Sequence, residues 1–419
     1  CYNIADTLIV GRCLGANALA AVGSSYTLMT FLTSILIGMC MGSGAVFSIR
    51  FGEKDQKKLK EGILHSFGLI AVMTVVINIL VYAFLPLILK ILQVPEEVVP
   101  YMRTYLLVIF AGISATFLYN YFAALLRAVG NSVVPLIFLA ASTVLNIGLD
   151  LLFVLGFGWG VAGAAGATVL AQFVAGIGIT LYTLLYFPEF RITRNELHFD
   201  KMVLGEIAQL SFLTCLQQSI MNFGILMVQG RVNSFGTAVM AAFAAAVKID
   251  SFAYMPVQDF GNAFSTFIAQ NYGAGKEKRI SQGIKSAVTA AFAFCLVISA
   301  AVCSFAAPLM GIFVKASETE IISIGVGYLR IEGTFYFGIG LLFLLYGYYR
   351  AVKMPGMSVI LTILSLGTRV VLAYTLSAIP AVGVTGIWVS VPIGWALADI
   401  VGVVYYWKKM RKVQTIAGN

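Results

Sequence analysis

Five carboxylates interrupt apolar stretches of this 419-residue sequence: Asp6, Asp150, Asp250, Asp259 and Asp399. A charge in the middle of an apolar helix is expensive, so each is a functional candidate by default. Asp150 carries the strongest signal. Asn146 lies four residues earlier, which puts both side chains on one helix face, and nothing basic is close in sequence to neutralise the acid. Thr168 lies on the next apolar stretch, after Gly163-Ala164-Ala165-Gly166, whose small side chains allow close helix approach. Asp6, Asn146, Asp150 and Thr168 together offer two carboxylates, an amide oxygen and a hydroxyl. That set suits a small hard cation such as Na⁺, and equally a proton held between two acids. Asp250 sits two residues from Lys248, a spacing that does not share a helix face, so each needs another partner and Asp250 is open to a structural or a functional reading. Asp399, near a helix end, is expected to reach interfacial water. Arg330 and Glu332 are expected at the outer interface.

These residues must be positioned by membrane helices. The chain is 60% apolar and only 11% charged, far from the globular norm, which excludes an ordinary water-soluble enzyme. Apolar tracts long enough to span a bilayer predict twelve helices: a truncated one at 1–11, then 17–49, 62–89, 101–126, 132–155, 162–186, 207–230, 237–271, 284–313, 321–348, 356–378 and 384–407. Of 27 Lys and Arg residues, 19 fall in one set of alternate loops and the C-terminal tail, 5 in the opposite set, and Lys248, Arg330 and Arg369 lie within helices. Positive charge is retained on the cytoplasmic side, so both termini are expected there, and the net charge of +9 reads as a topology signal with no nucleic-acid stripe.

The chain repeats itself. Gly15, Ala20, Ala21, Gly52, Lys57, Lys58 and Gly62 recur at one constant offset, without a gap, as Gly236, Ala241, Ala242, Gly273, Lys278, Arg279 and Gly283. At a slightly larger offset, Arg127-Ala128-Val129 matches Arg350-Ala351-Val352 and Gly163 matches Gly386. This predicts an N-lobe at 1–200 and a C-lobe at 201–419, each a six-helix unit in the same orientation. Parallel repeats are a transporter architecture with a site near the midplane. The counterpart of 201–221 is missing before Cys1, which predicts an N-terminal truncation. The six cysteines have no CxxC spacing, His65 and His198 are far apart, and no zinc-protease, nucleophile-triad or phosphate-loop motif occurs, so neither an enzyme nor a bound cofactor is expected.

Tyr2-Asn3-Ile4-Ala5-Asp6-Thr7, Asn146-Ile147-Gly148-Leu149-Asp150, Gly160 to Thr168 and Gln270-Asn271-Tyr272-Gly273-Ala274-Gly275 together resemble the multidrug and toxic compound extrusion (MATE) family, and its DinF-like branch in particular. The resemblance covers essentially the whole chain. It implies a V-shaped pair of lobes in the cell membrane, monomeric, exporting small organic, often cationic, compounds by alternating access in exchange for inward H⁺ or Na⁺. It also implies an N-lobe cation site at Asp6, Asn146, Asp150 and Thr168, with Tyr105 and Asn120 as additions. Gln217, Gln218 and Asp250 are the candidates for the substrate cavity. Some members carry acids on the seventh and tenth helices; Gln217-Gln218 and an uncharged 333–349 here argue against coupling through the C-lobe. A lipid-linked saccharide flippase of the same superfamily and a passive channel are the rival readings.

Overall fold

The computed structural model describes residues 9–10, 14, 16–91, 94, 96–193, 196 and 199–417. Asp6 and nearly all of the expected helix at 1–11 lie outside them. Among the described residues every regular element is helical, as a lipid environment requires of a chain that must satisfy its backbone internally. The helices are α1 (Ala16–Glu53), α2 (Gln56–Ile91), α3 (Val99–Ala111), α4 (Ile113–Ala128), α5 (Val133–Asp150), α6 (Gly160–Tyr186), α7 (Lys201–Asn233), α8 (Thr237–Gly273), α9 (Glu277–Ser304), α10 (Ala306–Phe313), α11 (Thr319–Thr334), α12 (Tyr336–Ala351), α13 (Pro355–Leu376) and α14 (Thr385–Ala417). Among the described residues nine helices are long and apolar enough to cross a membrane, and the bent pairs α3–α4 and α11–α12 bring the described spans to eleven. The remaining expected span is the one at 1–11.

Two stretches expected to be continuous are broken. The span 101–126 bends by 44° at Gly112, and 321–348 bends by 52° at Phe335. The two breaks occupy equivalent positions of the repeat, in the register that aligns Arg127 with Arg350. A Cβ at Gly112 would stand 2.9 Å from Gln172 Oε1 and 3.0 Å from Val169 on α6, so this bend needs glycine to fit its neighbour. The expected helix at 284–313 is likewise interrupted, between α9 and α10.

The chain divides into two compact units, Cys1–Cys215 and Leu216–Asn419. The boundary falls inside α7. Its first half packs on α1 through glycine: a Cβ at Gly38 or Gly42 would lie 2.5 Å from the backbone of Cys215 or Ser211, and the buried hydroxyls of Ser43 and Ser211 share a 3.0 Å hydrogen bond. Arg50 pairs with both Glu53 and Glu206, and Lys60 holds Glu196 at 2.7 Å. In the first unit α6 lies against α3, α4 and α5; in the second, α8 lies against α11 and α12, and α13 against α14. Each unit has its own apolar core, one around Tyr105, Tyr121 and Phe47, the other around Tyr328, Tyr349 and Trp388. Large apolar side chains left exposed, such as Val72, Val75, Val76, Ile79 and Leu80 along α2, form the outward surface that lipid would cover.

Candidate functional site

In the first unit, α5 and α6 carry the expected cluster. Asn146 and Asp150 are both 0% exposed, as their four-residue spacing on one face predicts. Thr168 on α6 is buried too, and Asn146 Nδ2 donates to its Oγ1 at 3.2 Å. Asn146 Oδ1 has no hydrogen-bond partner among the described residues. Asp150 closes α5, and the chain continues as a π-helix, Leu151–Gly156, a distortion that often accompanies functional sites. The return into α6 is tight: a Cβ at Gly163 would be 3.1 Å from the carbonyl oxygen of Phe153. Gly176 further along α6 packs on the backbone of Ala115, where a Cβ would be 2.6 Å from the carbonyl oxygen. Glycine therefore brings α6 against both α4 and the π-helical turn, which places Thr168 beside Asn146.

Of the two additions, Tyr105 is buried, whereas Asn120 is only half-buried and gives its Nδ2 to its own helix, at Thr116 O, 2.8 Å away. Asp6 lies outside the described residues. No group of three or more His, Cys, Asp or Glu residues capable of holding a metal occurs among the described residues; a cation here would rest on mixed oxygen donors.

The second unit departs from the sequence reading. Glu332, expected at the outer interface, is 1% exposed on α11. It faces Asp250 of α8, also buried, and the hydroxyl of Tyr328 donates to Asp250 Oδ2 at 3.4 Å. Tyr336, just past the bend at Phe335, adds a second phenol beside Asp250. Arg369 on α13 lies within electrostatic reach of both acids. Asp250 Oδ1, Glu332 Oε1, the Tyr336 hydroxyl and Arg369 Nε are all buried without a hydrogen-bond partner among the described residues. Lys248 takes no part, its ammonium lying over the Phe313 ring at 6.0 Å. The charge of Glu332 misled because Lys315, Glu318 and Glu320 nearby mark a loop. The signal that identifies it is the repeat: Tyr105 recurs as Tyr328 in the register that aligns Arg127 with Arg350, and Glu332 follows Tyr328 by one helical turn. The expected seventh span, 207–230, has no acid, but an acid on the tenth expected helix is present in Glu332, which lies immediately before the uncharged stretch 333–349.

Asp399 was also expected to reach water and is instead 8% exposed. It packs against α12 beside Gly338, where a Cβ would be at ordinary contact distance, 3.6 Å, from Asp399 Oδ2. Asp259 is exposed. Gln217 is buried and Gln218 half-buried on α7. Two open grooves, about 510 Å³ beside His65 and Phe199 and about 640 Å³ between Phe264 and Ser286, involve neither carboxylate cluster.

A family profile, MatE, matches residues 1–152 and 210–375. The chain belongs to the MATE family. Its members are transporters, not enzymes. Among curated relatives, the chain is 30% identical over 420 residues to the "Probable multidrug resistance protein YpnP" of Bacillus subtilis (strain 168), covering 98% of this chain and 92% of the relative. It is 27% identical over 430 residues to the "Probable multidrug resistance protein YoeA" of the same organism, covering 99% and 91%. A solved structure described as "Crystal structure of MATE in the bent conformation" superposes with a TM-score of 0.91 at 22% identity, over 100% of this chain and 93% of that one. This likeness supports the MATE fold. The duplicated helical architecture and multi-pass membrane character read from the sequence agree with it.

Proposed function

We propose that this chain is a secondary antiporter of the cell membrane that exports small organic cations, drugs or toxic metabolites, in exchange for inward H⁺ or Na⁺. The observation that carries this reading is the burial of Asn146, Asp150 and Thr168 in one place in the first unit. A carboxylate so placed is held at a high free-energy level unless a proton or cation accompanies it. The family resemblance implies Asp6, which lies outside the described residues, as the second acid of this site. Loading of this cluster from outside neutralises it and favours the state that releases the organic cation outward; unloading inward resets the carrier. Such coupling requires the ion to bind the two states with different affinity. The relatives' description as multidrug resistance proteins fits drugs as the substrates. The charge asymmetry of the loops supports cytoplasmic termini: cysteines at Lys57 and Lys278, in a background without native Cys, should resist an impermeant thiol reagent in intact cells.

The buried acids Asp250 and Glu332 favour a second cation site in the second unit, where the organic cation and a proton compete. Reconstituted protein tests the whole reading. It should concentrate an organic cationic dye against its gradient only when a H⁺ or Na⁺ gradient is imposed. Equilibration of dye with no dependence on either gradient would mark a passive pathway; movement of a lipid-linked saccharide with no dye transport would mark a flippase.

A further inference from the structure

Arg369 is a charged group of the second unit to which the exchange above gives no role. It stands at the repeat position of Asn146, in the register that aligns Gly163 with Gly386. Its Nε is buried and has no hydrogen-bond partner, and no ion pair joins it to Asp250 or Glu332 among the described residues. Its helix is fixed close to α14: a Cβ at Gly394 would be 2.4 Å from Ser365 O and 3.5 Å from Arg369 Cβ. The guanidinium interacts electrostatically with both carboxylates without forming an ion pair with either among the described residues.

The charge balance follows from the side-chain chemistry. A guanidinium does not lose its proton in a protein, so Arg369 supplies one permanent positive charge. Asp250 and Glu332, when ionised, supply two negative ones. One negative charge is left over in a buried site, where an unbalanced charge is strongly unfavourable. The acceptors Asp250 Oδ1 and Glu332 Oε1, with the Tyr336 hydroxyl beside Asp250, are the atoms an incoming positive charge would use. No other described charge alters the sum: Lys248 on α8 is turned to Phe313, Arg330 on α11 is exposed, Cys303 on α9 meets Thr334 and the Arg330 carbonyl, and α14 presents Trp388 to Tyr328.

We infer that Arg369 is a tethered counter-cation that sets the capacity of the Asp250–Glu332 site at one positive charge, so that a proton and a monovalent organic cation occupy it in turn and never together. The inference rests on the second-unit cation site proposed above.

The test uses the full chain, purified in detergent, in an Asp6→Asn, Asp150→Asn background that removes both first-unit carboxylates. Tetraphenylphosphonium binding and the protons released per ion bound are measured together near the pH at which release is largest. With Arg369 present, release should be close to one proton. Glu332→Gln leaves Asp250 balanced by Arg369, so affinity should fall about tenfold or more, the effect of one buried charge contact, and release should vanish. Glu332→Gln with Arg369→Gln leaves one lone carboxylate and should recover both affinity and release. Arg369→Lys should behave as the parent, whereas Arg369→Gln alone has room for two positive charges: it should bind tetraphenylphosphonium with one proton still in place, and a bis-phosphonium dication should release close to two protons from it but only about one from the parent. A double variant no better than Glu332→Gln, or a dication that releases no more protons from Arg369→Gln than from the parent, would overturn the role of Arg369. If Glu332→Gln and Asp250→Asn both leave binding and release unchanged, the second-unit site itself fails. Should Arg369→Gln not fold, the double variant, whose buried charge is smaller, decides.

Discussion

The two repeats keep one frame and fill it with different charges. Tyr105 and Tyr328, Gly163 and Gly386, and the helix breaks at Gly112 and Phe335 all occupy matching places. The acids do not. Asp150 has Ala373 as its counterpart, Glu332 has Ile109, Asp250 has Met29, and the amide of Asn146 is replaced by the guanidinium of Arg369. Backbone geometry is shared because close helix contacts tolerate few side chains, whereas a charge can move to any helix that faces the same interior. The first unit thus carries neutral oxygen ligands beside its acid, and the second carries a fixed cation beside two.

The largest expected effect tests the first unit. Asp150→Asn keeps size and hydrogen bonding but removes the charge, and gradient-driven dye export in vesicles is expected to fall to the level of protein-free controls while the protein still folds. Full export by this variant would move coupling to the second unit. Asp250→Asn is the complementary change. It leaves Glu332 balanced by Arg369, so tetraphenylphosphonium affinity should drop about tenfold, and a loss of gradient-driven export as complete as that of Asp150→Asn would erase the distinction between the two sites.

The shared frame is tested by Gly163→Ala and Gly386→Ala. The added Cβ would lie 3.1 Å from Phe153 O in the first case and 2.8 Å from the Leu376 carbonyl carbon in the second. Each should destabilise by roughly 1–3 kcal/mol as measured by thermal unfolding in detergent, and a large effect in one repeat alone would break the equivalence. Thr168→Ala removes one neutral oxygen, worth about 1 kcal/mol or roughly a fivefold change in Na⁺ affinity if Na⁺ drives the first unit; with H⁺ as driver the variant should shift the pH dependence of export and leave Na⁺ without effect.

The smallest effect concerns the segment between the repeats. Hydrogen bonds from Lys60 and from Thr193 hold the Glu196 carboxyl down at about 2, below its ordinary 4.5. A depressed acid contributes stability that is present above its unfolded value and lost as pH falls through the folded one. The Tm difference between the parent and Glu196→Gln should therefore be slight, because the pair is open to solvent, constant from pH 5 to 8, and should disappear between about pH 4.5 and 2.

Much of this was legible in the sequence for physical reasons. Long apolar tracts and loop charges report the bilayer directly, and the Asn146–Asp150 spacing reports a helix face. Thr168 was reachable because glycines around it announce close packing. The breaks at Gly112 and Phe335 were hidden, since neither interrupts hydropathy; the π-helical turn after Asp150 was hidden for the same reason. Glu332 and Asp399 were assigned to the membrane edge by their sequence neighbours, yet burial is decided by residues distant in sequence: Asp250 and Tyr328 for one, Gly338 for the other. Arg369 stood out as a charge within a helix, but only the fold shows which acids it serves.

The boundary inside α7 bears on how such a protein can be cut. The repeat begins the second copy near residue 201, yet the stretch from Lys201 to Cys215 is packed into the first unit by Gly38, Gly42 and the Ser43–Ser211 bond. Two half-genes divided at the linker would hand the second fragment a piece on which the first depends. The first half, made alone, would leave a gap that only the second's polypeptide fills, so a split version would be held together by a donated segment, in the manner of swapped dimers.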